Sequence, residues 1–305
     1  MIQNTSHSFT HADPNLKGRK LLLSIFLNLL ITIAQLIGGL VSGSLSLLSD
    51  ALHNFSDVLS LIVSYIADLY SKKEASLQRT FGYKRAEILA AFINALSLIL
   101  VAIYLIYEAI GRFLHPQQIE SSLVIWLALL GIFANGFSVL LLRKDAKENM
   151  NMRSAYLHLV TDMSASFAVL IGGLLMTYLG WFWVDSVLTV VISIYLLVMG
   201  LSLLKLSFRV LMLFTPDHIN LQKINVKISE IKGVKNIHHM HVWQLNEKET
   251  HLEGHIEFVN DIKISEFDSI IETIKTLLNN EFEINHVTLQ PEHNKDDPKD
   301  IIVQD

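Results

Sequence analysis

Six stretches of mostly apolar residues, each about 20 residues long, constrain this chain more than any other feature of its sequence. Crossing the hydrocarbon core of a bilayer takes about 20 residues of helix, and a helix satisfies its own backbone hydrogen bonds there. The stretches run approximately over Leu21–Val41, Leu45–Leu69, Ile88–Ile110, Leu123–Leu142, Ala155–Leu179 and Val184–Leu204. The sequence therefore predicts an α-helical membrane protein with six transmembrane helices in a lipid bilayer.

Composition supports a membrane protein and excludes several other classes. The chain is 51% hydrophobic and 17% charged, whereas soluble domains carry about a quarter charged residues. Its net charge of −5 argues against a nucleic-acid partner, which would need a basic surface. Cysteine is absent, so any metal ligands must be His, Asp, Glu or backbone groups. The first apolar stretch is too long for a signal-peptide core and should remain in the mature protein.

Basic residues predict the orientation in the membrane, because they favour the cytoplasmic side. They cluster before the first stretch, after the second and after the fourth: Lys17, Arg19, Lys20; Lys72, Lys73, Arg79, Lys84, Arg85; and Arg143, Lys144, Lys147, Arg153. The loops on the other side hold only Arg112. Both termini are thus expected in the cytoplasm of a multi-pass protein. A bacterial inner or plasma membrane fits this plain architecture, and an organelle stays open.

After Pro216 the composition becomes that of a soluble domain. We expect a cytoplasmic tail over residues 1–16, a transport domain over 17–214, an α+β domain over 215–292 and a disordered tail over 293–305. Periodicity predicts an αββαβ order for the α+β domain. Its helices and strands are expected at Asp217–Ile231, Val234–Leu245, Thr250–Phe258, Ser265–Leu278 and Glu283–Gln290.

Ionisable residues lie well inside two of the apolar stretches. The second contains Asp50, His53 and Asp57, and the fifth contains His158 and Asp162. An aspartate at mid-membrane costs roughly 3 kcal/mol, so such groups usually face a protein interior or a water path. Both stretches carry His-x-x-x-Asp, a spacing that puts the two side chains on one helix face.

The two pairs should also lie at the same depth, because the second helix runs inward and the fifth outward. At 1.5 Å per residue, Asp57 and His158 fall about 10 Å from the cytoplasmic side, and His53 and Asp162 about 15 Å. Two imidazole nitrogens and two carboxylate oxygens suit tetrahedral Zn²⁺, whereas Ca²⁺ and Mg²⁺ take more oxygens. These four residues are the predicted metal transport site.

Other interpretations stay open at this point. Each His and Asp could simply hydrogen-bond a neighbouring helix, and Asp50 could be an outer-sphere partner of His53, a release-path residue or a helix cap. An intramembrane metal enzyme is a rival, although no His-Glu-x-x-His motif supplies a general base and a closed four-ligand site has no open position. A channel or a metal sensor is a third class. Cobalt, iron and cadmium compete with zinc as the ion.

The sequence resembles the cation diffusion facilitator family, and most closely its zinc-exporting branch. Two motifs and a set of single residues carry the resemblance: Gly43-Ser44-Leu45-Ser46-Leu47-Leu48-Ser49-Asp50-Ala51 before His53 and Asp57, Arg79-Thr80-Phe81-Gly82-Tyr83-Lys84-Arg85-Ala86-Glu87, and Asn151, His158 and Asp162. The resemblance covers all six stretches and the C-terminal domain. It implies a homodimeric metal/proton antiporter that alternates between inward-open and outward-open states, with a metallochaperone-like cytoplasmic domain and no cofactor. In this family, a His at the position of His53 is associated with a preference for zinc over cadmium.

Three departures limit what the resemblance implies. The loop Ser76–Tyr83 has no His or Asp, so we expect no second metal there. Lys144–Met152 is too short for the His-rich cytosolic loop of other members. Leu211–Phe214 lacks the acidic residue that pairs elsewhere with a basic residue like Arg85, so the interlock at the base of the dimer is expected to be hydrophobic.

The C-terminal domain is rich in histidine. By the family pattern, His238, His255 and Glu292 are the candidate ligands of a regulatory Zn²⁺, whereas His241-Val242-Trp243 is expected to be structural. Alternation along a strand puts His239 and His241 on one face and His238 on the other. The alternative is that these histidines simply cover a polar sheet face.

Overall fold

The computed structural model describes residues 14–71, 76–143, 146, 150–246 and 248–303. Within them, the first part of the chain forms six long helices: α1 Pro14–Ser42, α2 Leu45–Ser71, α3 Ala86–Leu114, α4 Ser121–Leu142, α5 Met150–Leu179 and α6 Trp183–Leu211. Lys72, Lys73, Lys144 and Lys147, which contribute to the predicted orientation, lie outside the described residues, as do residues 1–13 and 304–305.

In the described part of the chain, five helices are long and apolar enough to cross a membrane. They are Leu23–Ser42 within α1, α3, α4, Ala155–Leu179 within α5, and α6. The helix α2 has 27 residues, but Asp50, His53 and Asp57 make it less apolar than the others. The helix with the weakest membrane signal is therefore one of the two that carry the predicted transport site.

The site-bearing helices belong to a compact unit formed by the chain up to Ile62 together with Asn94–Ser202. Buried apolar side chains of α2, α4 and α5, including Leu47, Val124 and Val169, form one of its core clusters. The helices α1 and α2 also approach each other closely at Gly39, where a Cβ would lie 3.1 Å from the backbone N and Cα of Leu48. Any larger residue there would push α1 away from α2.

The carboxylate of Asp185, in the first turn of α6, holds the start of α2. It accepts hydrogen bonds from the Ser44 hydroxyl at 2.6 Å, the Leu45 N–H at 2.9 Å and the Ser46 hydroxyl at 2.5 Å. Asp185 is buried. A negative group at a helix N-terminus satisfies the first unpaired N–H groups and opposes the positive end of the helix dipole. These hydrogen bonds fix the N-terminus of α2, the helix that carries His53 and Asp57 of the predicted metal site.

Replacing Asp185 with Ala should destabilise the protein by about 3 kcal/mol, because buried donors that lose a charged acceptor carry the full desolvation penalty. Thermal unfolding of the purified protein in detergent measures the loss. Asp185→Asn keeps one carbonyl acceptor and should lose clearly less. Equal unfolding temperatures for Asp185→Ala and wild type would contradict the assigned role.

The second compact unit comprises Val63–Ile93 and the chain from Leu203 onward. Its C-terminal part is the α+β domain, with α7 Leu221–Ser229, β1 Val234–Asn246, β2 Glu249–Phe258, α8 Ile264–Phe282 and β3 His286–Glu292. The strand order is β1-β2-β3, with β2 antiparallel to β1 and parallel to β3. The αββαβ order agrees with the sequence prediction.

Local chemistry explains where the helix boundaries differ from the prediction. The helix α7 begins late, because the side chain of Asn220 accepts a hydrogen bond from the Lys223 N–H and acts as its N-cap. The helix α8 ends at Phe282, because the next residue, Glu283, has a left-handed φ of 57° that stops the helix. The strand β3 therefore starts three residues later than expected.

An ion pair joins the loop after α2 to the α+β domain. Lys84 Nζ lies 2.7 Å from Oε1 of Glu249, the first residue of β2, and the Phe81 ring lies 5.9 Å from the His251 ring. The sequence gives no sign of the Lys84 pair, since 165 positions separate the two residues.

The segment after β3 lies along the edge of β1. The N–H groups of His239 and Met240 donate to the carbonyls of Asp300 and Ile301, at 3.0 and 2.8 Å. The polar composition predicts disorder over 293–305, and the structure differs over residues 293–303. The reason is that Lys295 and Lys299 pair with the buried carboxylate of Glu292, which composition alone does not reveal.

Candidate metal centre

The helices α2 and α5 bring the four predicted ligands together. His53 Nε2 lies 3.6 Å from Asp57 Oδ2 and 3.7 Å from Asp162 Oδ1. His158 Nε2 lies 3.3 Å from Asp57 Oδ2 and 3.6 Å from Asp162 Oδ2. Each imidazole therefore faces both carboxylates, one on its own helix and one on the other.

Most of the nitrogen and oxygen atoms that could bind a metal in this cluster are buried and lack a hydrogen bond. His53 Nε2, Asp57 Oδ2 and both carboxylate oxygens of Asp162 have no hydrogen-bond partner among the described residues. Buried polar atoms are nearly always paired, so several unpaired ones facing each other need an explanation. If each residue only bonded a neighbouring helix, these atoms would be satisfied. Their arrangement instead fits a site that binds a cation.

The His–Asp distances of the cluster are close to those around a small tetrahedral ion. With metal–ligand bonds of 2.0–2.2 Å, neighbouring ligand atoms of a tetrahedral zinc site lie about 3.3–3.6 Å apart. The four His–Asp distances span 3.3–3.7 Å. These are four of the six ligand–ligand distances of a four-ligand site, and they are close to those that Zn²⁺ requires.

One side of the cluster is open and the other is closed. The side chains of His158 and Asp57 are 39% and 30% exposed, whereas those of His53 and Asp162 are 7% and 0% exposed. The Tyr195 ring of α6 lies edge-on to His53, with 5.6 Å between ring centroids. The exposed side of the cluster is therefore the one formed by His158 and Asp57, and the side of His53 and Asp162 is buried.

Asp50 lies outside this cluster. Its Oδ2 accepts hydrogen bonds from Gln35 of α1 at 3.1 Å and from Ser166 of α5 at 3.2 Å. The side-chain oxygen of Gln35 in turn accepts from Asn54, the neighbour of His53, at 3.5 Å. Asp50 thus joins α1, α2 and α5 beside the site. Ser166 is a partner that the sequence did not identify.

The predicted ligands in the α+β domain also converge, together with one residue that the sequence missed. His238, His255, Glu292 and Asp297 offer ligand atoms that all lie within 4.8 Å of one another. His238 Nε2 is 3.2 Å from Glu292 Oε2, and His255 Nδ1 is 2.9 Å from Glu292 Oε1. Two imidazoles and two carboxylates are a donor set that fits Zn²⁺.

Electrostatics in this cluster favour the ligand forms of its residues. Burial lowers the pKa of His238, and the ammonium of Lys299 lowers it further, so this imidazole stays neutral. Burial raises the pKa of Glu292, but hydrogen bonds from Lys295 and Lys299 outweigh burial and leave this pKa below its ordinary value. The same lysines, Lys299 foremost, lower the pKa of Asp297 to about 2.

The remaining histidines of the sheet are engaged in ring contacts. Trp243 stacks on His251 with 5.3 Å between ring centroids. His239 and His241 lie 5.2 Å apart and so share a face as predicted. The alternation is nevertheless broken, since the register shifts between His238 and His241 and His239 has a φ of 49°.

Comparison with known proteins identifies the family. A sequence model of the cation efflux transmembrane domain matches residues 21–212, and one of the cation efflux protein cytoplasmic domain matches residues 216–294. The chain belongs to the cation diffusion facilitator family. It is a membrane transporter for metal cations rather than an enzyme, so the intramembrane metal enzyme is excluded.

Several characterised members of the cation diffusion facilitators are similar along almost their whole length. A cadmium, cobalt and zinc/H⁺-K⁺ antiporter of Bacillus velezensis is 38% identical over 295 residues, covering 95% of this chain and 94% of the relative. The metal cation efflux system protein CzcD of Cupriavidus metallidurans is 37% identical, covering 93% and 89%. The zinc transporter ZitB of Escherichia coli is 31% identical, covering 96% and 93%.

Proposed function

We propose that this cation diffusion facilitator exports Zn²⁺ from the cytosol in exchange for protons, through a site formed by His53, Asp57, His158 and Asp162. The supporting observation is a set of buried donor atoms without hydrogen bonds, with His–Asp distances of 3.3–3.7 Å across two helices. A structural role for these residues would leave no reason for so many unsatisfied groups.

Zinc is the favoured substrate because of the donor set. Two nitrogen and two oxygen donors are a ligand set that suits Zn²⁺, whose protein sites are almost always four-coordinate and tetrahedral. The zinc transporter ZitB and the cadmium, cobalt and zinc antiporter among the relatives handle ions of this class. Cadmium and cobalt are therefore the ions to compare with zinc.

Proton exchange follows from the chemistry of the ligands. Only a neutral imidazole can bind metal, and imidazole in water titrates near pH 6.5, within the working range of a cell. Protons and Zn²⁺ therefore compete for His53 and His158. The open side at His158 and Asp57 supports entry of metal from the cytosol in this conformation, and the transport cycle alternates it with an outward-open one.

Six transmembrane helices with both termini in the cytoplasm complete the proposal. The helix α2 is the sixth span: it has the length to cross the membrane, and its polar residues face ligands on α5 rather than lipid. We further propose a homodimer in a bacterial inner membrane, in line with the bacterial relatives and the cytoplasmic domain typical of the family.

The cluster of His238, His255 and Glu292, extended by Asp297, is proposed as a regulatory Zn²⁺ site. Zinc bound there would cross-link β1, β2, the end of β3 and the segment after it, and so stiffen the domain that is expected to join the two protomers.

Zinc uptake into proteoliposomes tests the exchange. With an acidic lumen, protons leaving through the transporter should drive zinc inward, and the equilibrium zinc gradient should grow about tenfold per pH unit for each proton exchanged. A zinc-sensitive dye in the lumen reports the uptake, and an ionophore that collapses the pH gradient serves as control. Zinc uptake that does not change with the pH gradient would indicate a channel and refute the exchange of zinc for protons.

A further inference from the structure

The ammonium group of Lys299 lies inside the candidate regulatory site. Its Nζ is 3.2 Å from Glu292 Oε2 and 3.3 Å from His238 Nε2, and it also pairs with Asp297 Oδ1. These three residues are three of the four candidate metal ligands. A cation that belongs to the chain itself therefore occupies the ligand groups that Zn²⁺ would need.

The hydrogen bonding of His238 supports this arrangement. Its Nδ1 lies 2.8 Å from the side-chain oxygen of Asn236, which can only accept, so Nδ1 carries the proton. The lone pair of the neutral imidazole is thus on Nε2, the atom that faces Lys299. All three N–H groups of the ammonium then have an acceptor, and the atom that would bind metal is already engaged.

Lys295 covers the other oxygens of the same carboxylates. Its Nζ lies 2.7 Å from Glu292 Oε1 and 3.2 Å from Asp297 Oδ2. Two ammonium groups therefore balance two carboxylates. A dication added to this charge-neutral cluster would lie close to both ammonium groups in a partly desolvated site and would repel them. The metal and the Lys299 ammonium therefore cannot occupy the site together.

The backbone next to Lys299 is tied to β1. At the register shift between His238 and His241, the N–H groups of His239 and Met240 bond the carbonyls of Asp300 and Ile301. Because Asp300 follows Lys299 directly, moving Lys299 out of the cluster together with its backbone breaks these two hydrogen bonds. Release of Lys299 from the cluster and release of residues 299–301 from β1 are therefore coupled in this inference.

We propose that Lys299 is a built-in competitor of metal at the cytoplasmic cluster, and that Zn²⁺ binds there only as residues 299–301 detach from the edge of β1. This inference rests on the regulatory site proposed above and adds the device that controls it. At low cytosolic zinc the lysine holds the cluster closed, and at high zinc the metal replaces it and frees residues 299–301 from β1.

Zinc titration of the full-length protein in detergent tests the proposal. The Asp162→Ala background removes a ligand from the membrane site, so that remaining binding comes from the cytoplasmic domain, and an added His255→Ala change verifies its location. Removing a charge-assisted competitor by Lys299→Gln should tighten zinc binding about tenfold. Lys275→Gln is the matched control, because Lys275 pairs only with the exposed Glu272 on α8 among the described residues and its loss should change nothing.

Hydrogen exchange supplies a second readout that needs no transport. Zinc should accelerate exchange of the His239 and Met240 amides in the Asp162→Ala protein, and Lys299→Gln should accelerate it even without zinc. If zinc binds in the cytoplasmic domain of neither the Asp162→Ala protein nor the Asp162→Ala protein with Lys299→Gln, the regulatory site itself is refuted, and this inference with it. If both bind zinc equally and the two amides stay protected, the site stands and competition by Lys299 is refuted.

Discussion

Asp162→Ala should abolish zinc transport, and we expect it to do so without lowering the stability of the protein. The first result follows because Asp162 faces both imidazoles, so its removal leaves the ion with one carboxylate. The second follows because both of its oxygens are buried without a hydrogen bond. A buried carboxylate without a hydrogen bond costs roughly 3 kcal/mol in a membrane helix, and alanine removes that cost.

Transport and unfolding must be measured together to separate function from folding. Zinc uptake into proteoliposomes should fall to the rate of empty vesicles, while the unfolding temperature of the metal-free protein stays the same or rises. Asp261→Ala, which removes an exposed carboxylate outside any helix or strand, should leave both unchanged. Wild-type uptake by Asp162→Ala would exclude this residue as a ligand, and a lower unfolding temperature would mean that its carboxylate is structural.

The two His-x-x-x-Asp pairs could be predicted because they depend on local rules. A spacing of four residues sets a common helix face, and opposite helix directions set a common depth. Both rules need only the sequence, and the geometry of His53, Asp57, His158 and Asp162 agrees with them. The ligands of α2 also lower its hydropathy, so α2 has the weakest membrane signal of the six helices.

Contacts between distant parts of the chain could not be predicted in the same way. Asp185 accepts from Ser44 across 141 positions, and no periodicity connects the two residues. The segment with Asp297 and Lys299 has a polar composition typical of disorder, and its ordering depends on Glu292 at the end of β3. The bulge at His239 likewise breaks the alternation on which strand predictions rely.

His53→Asp should add cadmium transport to a protein that prefers zinc. The substitution replaces a nitrogen donor by a shorter carboxylate, which leaves a wider site with three oxygen-donating groups. A carboxylate can bind with both oxygens and raise the coordination number, which a larger ion tolerates better than tetrahedral Zn²⁺. The family association of a His at this position with zinc selectivity leads to the same expectation.

The added charge gives this prediction a second, independent measure. His53 is almost fully buried, so a third carboxylate beside Asp57 and Asp162 should lower the unfolding temperature of the metal-free protein. Cadmium at a hundred times its dissociation constant should restore about 2.7 kcal/mol, because a ligand that binds only the folded state stabilises it. Tyr195→Phe keeps the ring beside His53 and all four ligands, so it should leave selectivity unchanged. If His53→Asp still excludes cadmium in vesicle uptake, the first ligand position does not set selectivity, and the discrimination must come from the width of the path past His158 and Asp57.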